Sequence, residues 1–545
     1  MEAQTAGSAM SEGSHAYTVG HWLRDRAQLA GSNIAIDDRG VLTSYATLNE
    51  RAEALAERLS RAGYGAGGRI ATISGNSTDH VVAFFACAQL GIAFVPLSWR
   101  LTASELGELI RRSEPDLLLV EDEYASLGGQ ALRALTDGGI GAPTSAELGL
   151  MGVEREVPNA AVTRLRRQAT GDDPLLVIYT SGSEAAPKGV ILTHSSCFWT
   201  NFALSQAMPM TADDVVLSML PQYHVAAWNV QPLLAWCIGA TVVLERSFQP
   251  GRVLQLICER GVTTIMGVPT QYRMLFDQPN VRDSKLSSLR RVLVGGSSIS
   301  EQLASDAAAL GVPLTQGYGL TEAGPNVLHL QPSGLKEHPG AVGMPYPSVE
   351  TQIVDPETQL PLAGPATGEL WVRGPSLFAG YLDDPEATER AMHDGWLRTG
   401  DLVTRDAGGV HRVVDRLKNI YVSGGENVAP AEVEAALMTH SLVSNAAVVG
   451  VPDPVWGERG YAFVEAAAPV SPDELLAHAR LRLAAFKLPS HVEVVEELPR
   501  STIEKIDRGE LRRRALKALE VPGSTESHDT RGASEMKGAD HDANR

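Results

Sequence analysis

Apolar residues recur along this chain in two rhythms, and the alternation between them predicts most of its elements. Leu48, Ala52, Leu55 and Leu59 share one helical face over 47–62, with Thr47 and Glu50 spaced as a capping box and Gly63 as the stop. Residues 70–73 then read as a strand, 81–90 as a buried helix, 92–97 as a second strand and 117–120 as a third. Alternating strand and helix predicts a parallel sheet with helices on its faces. The rhythm resumes with strands at 174–179, 215–220, 241–244, 263–268 and 291–296 and a helix at 231–238. Several of these strands end in Gly- or Ser-bearing turns, and in open α/β sheets ligands lie at the carboxyl ends of strands.

Past Val342 the pattern shortens to alternating segments broken by Gly and Pro, such as 351–354 and 368–374, which predicts a smaller antiparallel region. A charged turn near Lys418 opens a compact α+β segment of about a hundred residues, enough for a domain. Residues 1–15 and 522–545 carry almost no large apolar groups and are expected to stay unpacked as tails. The expected organisation is therefore tail 1–15, N-terminal domain 16–417, C-terminal domain 418–521 and tail 522–545.

Composition narrows the partners. At 545 residues the chain exceeds what one core serves, and its 44% hydrophobic and 20% charged residues are those of a globular protein. A formal charge of −19 argues against nucleic acid or an anionic membrane as partner. Cys87, Cys197, Cys237 and Cys258 form no CxxC pair, which fits a reducing compartment. The polar start lacks a basic-apolar leader, and no apolar run is long enough to span a bilayer, so a cytoplasmic protein with no membrane span is expected.

The densest candidate chemistry lies in Ile178-Tyr179-Thr180-Ser181-Gly182-Ser183-Glu184-Ala185-Ala186-Pro187-Lys188-Gly189. Three hydroxyls, two glycines and a lysine sit between pinned strands, where the backbone can turn sharply and offer N–H groups to phosphate oxygens. The spacing is not that of GxxxxGK[ST], and a solvated hairpin loop is the alternative reading. Other positions are bland when taken singly. Thr321-Glu322 in a Gly turn reads as a helix cap, Asp401 after Gly400 as a turn residue, and His224 as a core histidine. Lys505, with Arg508, Arg512, Arg513 and Arg514 beyond it, reads as part of a solvated helix face.

In order, however, Tyr179-Thr180-Ser181-Gly182-Ser183 with Pro187-Lys188-Gly189, Tyr318-Gly319-Leu320-Thr321-Glu322, Thr399-Gly400-Asp401, Asp415-Arg416-Leu417-Lys418-Asn419 with Gly424-Gly425-Glu426-Asn427, and Pro499-Arg500 before Lys505 form one series. The chain from about Ala16 to Lys517 resembles the adenylate-forming superfamily of acyl-CoA synthetases, peptide-synthetase adenylation domains and luciferases. That resemblance implies an α/β fold: a large domain of stacked, mostly parallel sheets with an antiparallel barrel-like region, and a small mobile α+β domain. It implies an acid–thiol ligase that activates an acid with ATP and Mg2+, releases pyrophosphate, and passes the acyl-adenylate to CoA. The physical need agrees, because triphosphate and carboxylate together demand a lysine, a metal ion and backbone donors at one place.

By resemblance, Thr180, Ser181, Gly182, Ser183 and Lys188 hold the β- and γ-phosphates. Thr321 bonds the α-phosphate, Glu322 ligates magnesium, and the Gly317-Tyr318-Gly319 turn lies beside the nucleotide. Asp401 takes the ribose hydroxyls with Arg416 assisting. Lys505 reaches the α-phosphate and the carboxylate, then withdraws as the small domain pivots at Lys418 and the Gly424-Gly425 turn lines the thiol tunnel. His224 gates the acyl pocket, whose walls are expected from Val225, Trp228, Gly295, Gly296, Gln316 and Gly317. Val225 stands where relatives that activate amino acids carry an acidic residue, so an uncharged acyl or aryl chain is expected.

Departures from the family pattern leave alternatives open. Glu184 and Ala185 replace the usual Thr/Ser and Gly, Asn419 the usual Asp, and Ile503-Glu504 the usual Thr-Gly before the lysine. The adenylate could pass to a carrier protein or an amine, or the activated oxyanion could be other than a carboxylate. A silent nucleotide- or acyl-binding protein is the rival of another class. The partners expected are a small-molecule acid and CoA or a carrier protein, on a monomer or homodimer.

Overall fold

Parallel strands that are buried on both faces must be covered by helices, and the N-terminal part of the chain meets this need twice. The computed structural model describes residues 18–148, 157–180, 187–424, 426–500 and 506–520. It divides between Val413 and Val414 into two units.

The first unit holds a seven-stranded sheet built on Arg69–Ile73, Ala93–Leu97 and Leu117–Val120, parallel as the alternation predicts. Its helix Thr78–Leu90 is buried almost all round, capped by Ser77 and stopped at Gly91 in the left-handed region. A nine-stranded sheet is built on Val215–Ser218, Thr241–Leu244, Thr264–Gly267, Arg291–Val294 and Leu314–Tyr318. Ile34–Asp38, the first strand among the described residues, joins this second sheet, parallel to Thr241–Leu244, with Val41–Ser44 as the edge. Phe84 stacks on Trp228 at 4.4 Å between centroids, and Phe94 and His80 close round the same indole. This aromatic cluster belongs to one continuous core.

One predicted boundary is corrected. The helix Tyr45–Arg61 starts ahead of the expected capping box, because the Ser44 hydroxyl accepts from the Thr47 N–H at 3.2 Å and takes the cap position itself.

An antiparallel sheet follows, with Glu350–Val354, Ala366–Arg373, Trp396–Arg405 and Met392–His393 in line and His411–Arg416 paired to Trp396–Arg405. The second unit is a five-stranded sheet centred on Gly457–Ala466, with helices Pro430–Met438, Pro472–Arg480 and Arg508–Glu520. Its long strand Val443–Asp453 alternates between two apolar clusters, Ala446 and Val448 to one and Ala447 and Val449 to the other. Among the described residues no helix is long and apolar enough to cross a membrane.

Candidate active site

The segment singled out for phosphate chemistry is flanked by two antiparallel strands one place in from the edge of the seven-stranded sheet. Strands Pro174–Thr180 and Lys188–Thr193 run antiparallel, and Thr180 and Lys188 face each other as the last described pair. Ser181, Gly182 and Ser183, with Glu184 and Ala185, lie outside the described residues. A two-residue strand, Gly380–Tyr381, pairs with the outer side of Lys188–Thr193. Its Tyr381 ring lies 5.3 Å from the Lys188 Nζ. The Tyr381 hydroxyl donates to Glu322 Oε1 at 2.8 Å. The lysine, the tyrosine and the carboxylate thus form one contiguous group, and sequence reading missed the tyrosine. A Gly-Tyr pair in the short apolar run Leu377-Phe378-Ala379-Gly380-Tyr381-Leu382 gave no periodic signal.

Glu322 stands in a single 3-10 turn, Thr321–Ala323, directly beyond the strand Leu314–Tyr318. Thr321 is inside the turn, the cap position is Leu320, and no side chain caps it, which removes the helix-cap reading. Gly319 is needed for packing: a Cβ there would fall 1.4 Å from the Pro325 carbonyl oxygen. Four residues before Glu322, the Tyr318 hydroxyl donates to Asp401 Oδ2 at 2.5 Å.

Asp401 is a strand residue, not the turn residue its sequence context suggests. The pairing of Ala366–Arg373 with Trp396–Arg405 slips between Glu369 and Trp371, and Gly400 takes φ +69 at that bulge. Such a bulge re-aims the next side chain. Thr399 Oγ1 donates to the Leu370 carbonyl at 2.7 Å and accepts from the Asp401 N–H at 3.1 Å. The Gly400 N–H donates to Glu369 Oε1 at 3.0 Å. The result is a nearly buried carboxylate aimed at Tyr318.

His224 is half-buried and its N–H donates to the Pro221 carbonyl at 3.0 Å, while the residues before it are tied down. Asn76 Oδ1 accepts from the Gln222 N–H, and its Nδ2 donates to Leu220 and Glu245 carbonyls at 2.9 and 3.0 Å. Gln222 Oε1 meets His80 Nδ1 at 2.9 Å. An amide oxygen only accepts, so His80 carries its proton on Nδ1 and Nε2 accepts from Thr72. Burial holds this imidazole neutral and pushes its pKa down to about 4. The short helix Ala226–Asn229 is joined to the Glu322 turn, because Asn229 Nδ2 donates to the Gly324 carbonyl at 2.8 Å.

Two expected pocket walls are corrected. Trp228 is fully buried in the aromatic core and its Nε1 donates to the Gln222 carbonyl at 2.7 Å, so it supports the His224 segment from behind. Gln316 is equally buried; its Oε1 accepts from the Ile299 N–H and its Nε2 is committed to backbone carbonyls of 294–317. Gly295, Gly296 and Gly317 do sit where adjacent strands end. Half-buried Met266 and Val268 stand over the first two, with a Gly295 Cβ falling 2.9 Å from Met266 Cε and a Gly296 Cβ 3.5 Å from Val268 Cγ1. Both had passed unnoticed as strand interior. Val225 is buried at the start of the short helix Ala226–Asn229.

In the second unit, Asp415 gathers its neighbours: it accepts from the Arg416 N–H at 2.6 Å, Asn419 Nδ2 at 3.1 Å and the Ala431 N–H at 2.8 Å. An amide at 419 is a donor, which an aspartate there is not when ionised. Arg416 and Lys418 are exposed. Gly424 has φ +62, and a Cβ on it would meet the Trp456 ring at 2.6 Å. Gly425, Ile503, Glu504 and Lys505 lie outside the described residues.

A magnesium site is consistent with this donor set. Among the described residues no group of three or more His, Cys, Asp or Glu side chains is arranged to hold a metal. Mg2+ characteristically takes one or two carboxylates and completes its shell with substrate phosphates and water, and Glu322 supplies one carboxylate near Lys188.

Residues 23–382 match the family model described as AMP-binding enzyme, and 432–505 match AMP-binding enzyme C-terminal domain. The chain is 37% identical over 498 residues to a feruloyl-CoA synthase of Amycolatopsis sp, covering 91% of this chain and 99% of that protein. It is 34% identical over 503 residues to the fatty acid–[acyl-carrier-protein] ligase ScoC of Streptomyces coeruleorubidus, covering 90% and 94%. Among solved structures, the o-succinylbenzoate coenzyme A synthetase of Bacillus subtilis with ATP and magnesium superposes with a TM-score of 0.81 at 29% identity, covering 91% and 98%. With matches of this extent across both units, the chain belongs to the AMP-binding, adenylate-forming enzymes.

Proposed function

We propose that this protein joins an uncharged aliphatic or aryl carboxylic acid to the thiol of CoA in two steps driven by ATP. In the first, a carboxylate oxygen attacks the α-phosphorus and the bond to the β-phosphate breaks, releasing pyrophosphate. In the second, the sulfur attacks the acyl carbon and AMP leaves, the thiol proton passing to solvent. The reading is carried by the contiguity of Lys188, Tyr381 and Glu322 with the turn that leads back to Tyr318 and Asp401. A cation, a carboxylate and a buried sugar-binding acid in that order fit a nucleoside triphosphate lying across them.

In this reading Lys188 and the hydroxyls of Thr180, Ser181 and Ser183 hold the β- and γ-phosphates, and Thr321 bonds the α-phosphate. Asp401 accepts from the ribose hydroxyls while Tyr318 fixes its orientation. Magnesium, held by Glu322 and phosphate oxygens, would neutralise charge as it shifts toward pyrophosphate. His224, Val225, Gly295, Gly296 and Gly317 bound the acyl chain, and no carboxylate among them offers a partner to an ammonium. Lys505 is assigned to the adenylation step, the Gly424-Gly425 turn to thiol transfer, and Lys418 to the pivot between them.

Pyrophosphate release measured over a panel of aryl, short and long aliphatic and inorganic acids, with and without CoA, tests the reading. Release with aryl or aliphatic carboxylates and CoA-dependent AMP formation are expected. ATP binding with no release for any acid would overturn it in favour of a silent binding protein. A carrier protein is the second acceptor reading, favoured by the relative that is named as an acyl-carrier-protein ligase. ATP–pyrophosphate exchange in Lys505→Ala tests the lysine, with a loss of about 10²-fold or more expected for one transition-state donor.

A further inference from the structure

The segment 378–382 holds three site elements at once. The Phe378 N–H donates to the Glu322 carbonyl at 2.8 Å, and the Tyr381 hydroxyl donates to the same residue's carboxylate. The Ala379 and Leu382 N–H groups donate to the Ile191 and Gly189 carbonyls at 2.9 and 2.7 Å, on the strand that begins with Lys188. The Tyr381 N–H is itself fixed by Thr388 Oγ1 at 2.9 Å, and its ring packs edge-on against Phe378 at 5.0 Å. The backbone and the side chain of Glu322 are therefore both registered against the hairpin by one short strap.

From this geometry we infer that Tyr381 is a positioning residue, orienting the Glu322 carboxylate and the Lys188 ammonium together toward a magnesium–polyphosphate ligand. The hydroxyl occupies one oxygen of Glu322 and so directs the other; the ring face attracts the lysine cation and fixes its reach. The two functions reside in different parts of one side chain, so they can be separated. The inference rests on the nucleotide reading above.

Tyr381→Phe keeps the ring and removes the hydroxyl, whereas Tyr381→Leu removes both. ATP binding is measured by calorimetry without any acid, once in EDTA and once across a magnesium titration. Tyr381→Phe is expected to need about tenfold more magnesium for half-saturation, while binding ATP in EDTA as the wild type does. Tyr381→Leu is expected to weaken ATP binding in EDTA by about threefold as well. In a Glu322→Gln background, Tyr381→Phe should change the magnesium requirement no further. An unaltered requirement in Tyr381→Phe, or effects that simply multiply in the double variant, overturns the inference. A wild-type protein that binds no ATP overturns instead the reading on which it rests.

Discussion

The Tyr318 hydroxyl donates to the Asp401 carboxylate over 2.5 Å, joining the end of a parallel strand to a bulge in the antiparallel sheet 83 residues later. In the role proposed for it, an aspartate fixed in this way accepts from two sugar hydroxyls. Asp401→Asn should therefore raise KM for ATP about tenfold or more and leave KM for the acid nearly unchanged, since a hydrogen bond to a charged group is worth about 1.5–3 kcal/mol. Steady-state titration of each substrate checks the split. Equal rises in both constants would mean the carboxylate only supports the fold.

Gly319 should tolerate no side chain. The Pro325 carbonyl occupies the Cβ position, and backbone cannot yield as a side-chain tip can. Gly319→Ala is expected to destabilise the first unit by about 3 kcal/mol or more, or to displace Thr321 and Glu322 at comparable cost to activity. Urea unfolding with parallel ATP titration distinguishes the two outcomes. Wild-type behaviour in both would refute the close approach.

His80 and His194 are buried and neutral, and burial pushes both pKa values down to about 4 from the ordinary 6.5. The unfolded chain binds protons at these sites in the window between those values and the folded chain does not, so acid favours unfolding there. Each contributes full stability above about pH 7, loses it as pH falls, and costs about 2 kcal/mol between pH 7 and pH 5. His194 Nδ1 accepts from the Val19 N–H at 3.1 Å, a role an asparagine oxygen can fill without titrating. In His194→Asn the stability slope over this window should be about half the wild type's combined histidine slope. Denaturant midpoints at pH 7, 6 and 5 read it directly, and parallel slopes would contradict it.

How much of this could be read from the residues alone follows the range of the forces involved. The strands 70–73, 92–97, 117–120 and 291–296 announce themselves because apolar run and turn are adjacent in sequence. Thr180, Lys188, Glu322 and Asp401 were legible as an ordered series. Trp228 and Gln316 were misjudged because nearness in sequence to His224 and Gly317 does not reveal which way a side chain faces. Tyr381 was invisible because its meaning lies entirely in partners 59 and 193 residues away. Asn419 stood out as a departure, and only the Asp415 carboxylate beside it explains why an amide suits the place.

Glu434 and Arg508 form a largely buried two-pronged pair in the second unit, with contacts of 2.6 and 2.9 Å, and both also bond the Val448 backbone. Removing one partner strands the other's charge. Glu434→Leu should cost about 3 kcal/mol, whereas Glu434→Leu with Arg508→Met should recover most of it. Thermal and denaturant unfolding of both variants test this. A double variant no more stable than the single would show that the charges are not the source of the cost.

The place of Ile34–Asp38 in the nine-stranded sheet bears on how the protein is made. Thr241 Oγ1 reaches the Ile34 carbonyl across 207 positions of chain, so during synthesis this strand waits for a neighbour that does not yet exist. At about 5–20 residues per second the wait is about 10–40 s. Throughout it the Val41–Ser44 hairpin arm, whose Val41 and Leu42 remain exposed even in the finished fold, offers an apolar edge to any passing strand. The nascent chain is thus vulnerable at this hairpin until Thr241–Leu244 emerges to pair with Ile34–Asp38.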